Sequence, residues 1–149
     1  MNVRLALAAA LAVLASPALA APHSTTLLST ERTWNEAPVH YPCSARPQVT
    51  AVKVEIPAGE ATPWHSHPVG NYAYVISGTL ELELRDGTTH TFKAGDAFAE
   101  VVDTAHRGKA VGAEPVVLVV WYTGEAEKPF TVAEAPPGPD AARERPAKP

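Results

Sequence analysis

Apolar and polar positions alternate with a period of two along much of the chain, most clearly in Thr79-Leu80-Glu81-Leu82-Glu83-Leu84-Arg85, where three leucines fall on one face and the charges on the other. Successive side chains of an extended backbone point to opposite faces of a sheet, so this pattern predicts a half-buried strand. The same reading predicts further strands at 49–56, 72–77, 88–92, 97–102, 106–111 and 115–123. Between them, Ser77-Gly78, Asp86-Gly87 and Ala94-Gly95-Asp96 supply residues that tolerate tight or left-handed turns. No internal segment sustains a 3.6-residue period. Seven or eight short strands at this spacing predict an all-β fold, a small antiparallel sandwich or barrel over about residues 48–124.

The flanks read differently. Residues 21–47 are rich in Thr, Ser and Pro and form an expected irregular arm, with Trp34 and Tyr41 available to pack across the outside of the barrel. Residues 125–149 combine Pro, Gly and alternating charge and read as a flexible tail. At the other end, Arg4 precedes the apolar stretch Leu5 to Leu14, and Ser16-Pro17-Ala18-Leu19-Ala20 offers small residues for cleavage, so residues 1–20 read as a signal peptide. The expected location of the mature protein is therefore periplasmic or secreted. No second apolar run is long enough to span a bilayer, so stable membrane insertion is not expected.

Composition adds exclusions. With 46% hydrophobic and 19% charged residues and a formal net charge of −4, the chain falls in the ordinary globular class. Its 12 Lys and Arg form no basic stripe, which argues against nucleic acid as a partner. The single cysteine, Cys43, rules out an internal disulfide and is read as a small half-buried residue without a chemical role. Pairing of sheet edges makes a homodimer an expectation that no residue pattern proves.

The chemistry centres on histidine. His65 and His67 are two residues apart in Gly59-Glu60-Ala61-Thr62-Pro63-Trp64-His65-Ser66-His67, and in extended backbone such a pair shares one face about 6.6 Å apart. His106, in Asp103-Thr104-Ala105-His106, lies on a later strand and can close a three-imidazole set. Such a set suits a divalent ion (Fe, Mn, Ni, Cu or Zn) with coordination positions left open for water or substrate. The alternative is that the rings only hydrogen-bond inside a polar barrel mouth. His90, His23 and His40 read as surface residues, and Arg107 faces away from His106 on a regular strand.

These residues resemble the two sequence motifs of the cupins. Gly59, His65, His67 and Gly78 match the first motif in register, and Gly95 and His106 keep the spacing of the second. The resemblance covers about residues 48–124 and implies a double-stranded β-helix, or jelly roll, with a divalent metal held inside by histidines. Asn71 stands where the family's carboxylate would, and Val101, Asp103 and Ala110 replace the second motif's Pro, Gly and Asn.

Asn71 is thus either a weak fourth contact, directly or through a metal-bound water, or a turn residue after Pro68-Val69-Gly70. Glu100 is the other candidate carboxylate: one strand parity buries it beside the site, the opposite parity leaves it in water. Asp103 joins Glu100 as an acid/base group by proximity alone. Two functions stay open: a metal-dependent, dioxygenase-like enzyme on a small molecule, or a non-catalytic small-ligand-binding or stabilising protein of the cell envelope.

Overall fold

The computed structural model describes residues 23–41 and 43–138. The expected leader, 1–20, lies outside the described residues. Nine strands form two sheets, and no helix occurs among the described residues. None is therefore long and apolar enough to cross a membrane.

One sheet contains β1 (Pro47–Ile56), β3 (Gly70–Ser77), β6 (Ala97–Ala99) and β8 (Val116–Glu125), in the order β1-β8-β3-β6. The other contains β2 (His65–Ser66), β4 (Thr79–Leu84), β5 (Thr89–Lys93), β7 (His106–Ala110) and β9 (Val132–Ala133), in the order β5-β4-β7-β2-β9. All pairings are antiparallel. Consecutive strands repeatedly cross between the sheets, which is the double-stranded β-helix that the motif resemblance implies.

The period-two pattern is cashed in directly. β4 alternates half-buried and buried positions, with Leu80, Leu82 and Leu84 turned inward. Val75 on β3, and Val116, Leu118, Val120 and Tyr122 on β8, face them from the opposite sheet, and Phe92 stacks on Phe98 at 3.9 Å between ring centroids. Each fully buried aliphatic side chain of this kind is worth about 1.5–3 kcal/mol relative to exposure. At the β3–β4 corner a Cβ on Gly78 would meet the Pro115 carbonyl oxygen at 2.5 Å, and φ is +80°. Only glycine suits both the close approach and the left-handed backbone.

Four expectations need correction. The strand expected at 97–102 stops at Ala99: Glu100 N still donates to Asn71 O at 3.0 Å, but Val101 N turns to the carboxylate of Glu100 at 2.8 Å, which ends the ladder. The two-residue strands β2 and β9 are too short to show a period and were not expected. Residues 125–138 do not trail away as a flexible tail: β9 pairs with β2 through His65↔Ala133 and Ser66↔Val132, and Phe130 packs against the core. Cys43 is exposed rather than half-buried.

Candidate metal centre

His65 belongs to β2, His67 follows it, and His106 opens β7. Direct pairing of His65 with His106 sets two of the rings side by side. His67 reaches the same point because residues two apart on extended backbone share a face. The ring centroids lie 4.4 Å apart for His65–His106, 4.9 Å for His65–His67 and 5.0 Å for His67–His106. One ligand nitrogen from each ring falls within 4.8 Å of the others, the one such cluster found among the described residues.

The hydrogen bonds behind the rings decide what they present. His65 Nδ1 lies 2.8 Å from Pro63 O, His67 Nδ1 2.9 Å from Phe130 O, and His106 Nδ1 2.8 Å from Thr104 O. A carbonyl oxygen only accepts, so each Nδ1 carries the proton and each neutral ring keeps its lone pair on Nε2. Backbone anchoring of this kind fixes tautomer and orientation in metal-ligating histidines. Burial disfavours the imidazolium at all three: it holds His65 and His106 below the usual range and lowers His67 to about 3. Three uncharged, pre-aimed donors therefore stand ready near neutral pH.

Glu100, just past the end of β6, and Asn71, on β3, line the same cavity as the histidines. The buried parity holds for Glu100, which is 6% exposed. The Trp34 indole and the Val101 amide both donate to its Oε1, leaving Oε2 directed at His106 Nε2 at 3.8 Å. That separation is too long for a hydrogen bond, yet it suits two atoms sharing one ion through bonds of about 2.0–2.2 Å each. Burial pushes the Glu100 carboxyl up to about 7, against the pull of its hydrogen bonds.

Asn71 is 1% exposed on β3, not a turn residue, and its Oδ1 has no hydrogen-bond partner. An orphaned buried acceptor is costly, and a bound ion or its water would satisfy it. The donor set, the 3.8 Å gap and this orphan fit a divalent ion held by His65, His67 and His106, with Glu100 and Asn71 beside it.

The remaining sequence candidates fall away from the site. Asp103 is exposed with φ of +50°, and only its backbone amide is engaged, donating to His67 O at 2.9 Å. Arg107 binds Glu83 at 2.7 Å and lies 5.2 Å from the Trp64 ring centroid, on the outward face as expected. His23, His40 and His90 are exposed.

What sequence reasoning missed comes from the flanks. Trp34 reaches in from the arm to Glu100, while Phe130 O and Thr131 Oγ1, the latter at 3.2 Å, hold His67 Nδ1 from the far side. The β-branched run Thr131-Val132 beside Phe130 was the available signal.

Below the rings, a cavity of about 60 Å³ runs between the sheets. Its lining combines polar groups, Thr62, the three histidines, Asn71 and Glu100, with apolar side chains that include Leu80, Leu82 and Leu118.

Residues 52–122 match the family model of the cupin domain. A 72-residue stretch is 35% identical to the polyketide synthase CurC of Streptomyces cyaneus, covering 48% of this chain and 46% of that protein. The chain thus spans about half the length of that curated relative. Among solved structures, the DMSP lyase DddQ from Ruegeria pomeroyi is similar with a TM-score of 0.52 at 23% identity, over 60% of this chain and 45% of that one. An uncharacterized conserved protein with a double-stranded β-helix domain from Klebsiella pneumoniae gives 0.50 at 24% identity, over 64% of this chain and 90% of that one. The sheet order and the matched region agree: residues 52–122 form a cupin domain.

Proposed function

We propose that this protein is an exported, metal-dependent cupin enzyme acting on a small organic molecule. The observation that carries the reading is the set of three Nδ1-to-carbonyl hydrogen bonds, which leaves three neutral Nε2 lone pairs converging beside a cavity. Hydrogen-bonding alone does not account for that arrangement, since it uses the wrong nitrogen of every ring.

The Nε2 atoms of His65, His67 and His106 hold the ion, and Glu100 Oε2 is the fourth contact. A divalent ion there supplies Lewis acidity and, if redox-active, electron-transfer chemistry. Asn71 Oδ1 accepts a hydrogen bond from a water or substrate donor beside it. The apolar side chains that line the cavity pack against the bound molecule. Trp34 and the Val101 amide keep Glu100 Oε1 occupied, so Oε2 is the oxygen that would face the ion. The matched relative bears a polyketide synthase name, which supports a small organic molecule as the ligand. The leader motif at 1–20 supports a periplasmic or secreted location.

Oxygen uptake and product formation by protein loaded in turn with Fe(II), Mn(II), Ni(II), Cu(II) and Zn(II), across thiols, phenols, diketones and small carboxylic acids, test the reading. Turnover that disappears in His106→Ala is expected. Saturable binding without turnover on any metal would replace the enzyme with a small-ligand-binding protein of the cell envelope.

A further inference from the structure

The barrel turns two different outer faces to its surroundings. On the five-stranded sheet the outward positions of β4 and β7 pair by charge: Glu81 stands opposite Lys109, and Glu83 opposite Arg107, the latter pair closed at 2.7 Å. That face suits water. On the four-stranded sheet, Val75 of β3 and Val116, Leu118 and Val120 of β8 are buried, which directs Tyr72, Tyr74, Ile76, Val117, Val119 and Trp121 outward. The register sets these residues in rows, Lys53–Val119–Tyr74 and Ala51–Trp121–Tyr72. Trp121 is 41% and Ile76 49% exposed, so the rows form a contiguous apolar surface rather than scattered single residues. Apart from Glu125 at the far end, bound to Lys128 at 2.8 Å, the strands of this face carry two outward charges, Lys53 and Glu55 of β1.

We infer that a second copy of this chain docks on this face, sheet against sheet, about a two-fold axis at the level of Val54. Stacked sheets lie about 10 Å apart with their strands nearly aligned, and an axis across the strands lays β1 on β1 and β8 on β8. Val54, Leu118 and Val75 occupy one row. An axis there stands Lys53 over Glu55 of the second copy, Val119 over its Val117 and Tyr74 over its Ile76, so charge meets opposite charge at the rim and apolar meets apolar inside. An axis one residue away, at Lys53 or at Glu55, sets like charge on like. An axis at Val52 stands Lys53 over Ala51 and Glu55 over Val49, burying both charges unpaired. One lysine is too few to hold an anionic lipid surface, which draws on clusters of basic residues. Strand spacing and length give the face an area of about 500 Å², against about 800 Å² per partner in a standard interface. The contact is therefore a reversible dimer rather than an obligate one.

Sedimentation velocity on the purified chain from about 1 to 500 µM tests this, with circular dichroism to verify the fold of each variant. A monomer–dimer equilibrium with Kd on the order of 10 µM is expected. Ile76→Lys should weaken it about thirtyfold or more. Lys53→Glu and Glu55→Lys, both on exposed side chains and so tolerated by the fold, should each weaken it about tenfold, and the double exchange should restore most of the loss, because it reinstates the opposite-charge pairing. Glu81→Lys on the other face should leave the equilibrium within about twofold. A wild type that stays monomeric throughout overturns the inference, as does a dimer indifferent to Ile76→Lys, or single charge changes without rescue in the double exchange. A monomer that binds phosphatidylcholine vesicles, and loses them in Ile76→Lys, assigns the face to a lipid surface and overturns it too.

Discussion

The two sheets of this barrel are held together in different ways, and the three histidines of the candidate site sit on or beside the strands of the weaker one. In the four-stranded sheet, β1 and β8 pair over ten residues in unbroken register from Pro47↔Glu125 to Ile56↔Val116, and β3 continues the ladder on the other side of β8. In the five-stranded sheet, the end that carries His65 is only two residues wide, with one pairing to β7 and two to β9. Backbone ladders alone would hold that end poorly. Side chain-to-backbone bonds from each histidine, and the clasp of Ser66 and Arg85 on Glu134, compensate. One sheet supplies rigidity, and the other supplies aim.

That division can be broken selectively. Leu118→Ala, in the long sheet, is expected to cost about 2–5 kcal/mol of unfolding free energy by denaturant titration, as large-to-small core changes do. A loss below about 1 kcal/mol would show that the long sheet is not the stabilising layer. Trp34→Phe keeps the aromatic packing but strips one of the two donors from the buried Glu100 Oε1, an expected cost of about 1–3 kcal/mol. If Trp34 positions Glu100, the same variant also weakens metal binding about tenfold and shifts the visible spectrum of Co(II)-loaded protein. An unchanged spectrum would reduce Trp34 to packing. Glu134→Gln on the outer clasp should change stability by less than about 1 kcal/mol, because its partner Arg85 is exposed to solvent.

Acidification sharpens the same contrast in chelator-treated protein. Below the ordinary imidazole pKa of 6.5 the unfolded chain gains protons on His65, His67 and His106 that the folded chain refuses, since burial lowers all three. Glu100 opposes this: raised to about 7 from 4.5, it holds one proton when folded that the unfolded chain releases in that interval. Three groups against one leave the unfolded state with more protons, so stability falls as pH drops from 6.5 toward 4.5. Urea midpoints at pH 7.5 and 5.5 check the sign, and a midpoint that rises on acidification would refute the burial of neutral rings.

The same contrast explains what was legible in the sequence. Leu80, Leu82 and Leu84 announce β4 because a half-buried strand writes its burial into the side-chain alternation, and the long strands of the other sheet follow suit. His65, His67 and His106 were legible because ligand chemistry restricts residue type. Glu100 was ambiguous, since its parity fits an inward or an outward face until the Trp34 hydrogen bond is known. Phe130 contributes through its carbonyl oxygen, a group every residue possesses, so only the β-branched Thr131-Val132 beside it hinted at a strand there. β2 and β9 escaped because two residues cannot display a period, and the composition of 125–138 concealed a segment fastened by backbone pairing.

The most direct measurement is metal content per chain, determined by elemental analysis of natively purified wild type, His65→Ala and His106→Ala, alongside circular dichroism to verify the fold. One divalent ion per wild-type chain, lost in both variants with the β-sheet spectrum preserved, is the predicted result. Equal metal in all three proteins, or none in the wild type after incubation with excess divalent ions, would contradict the account.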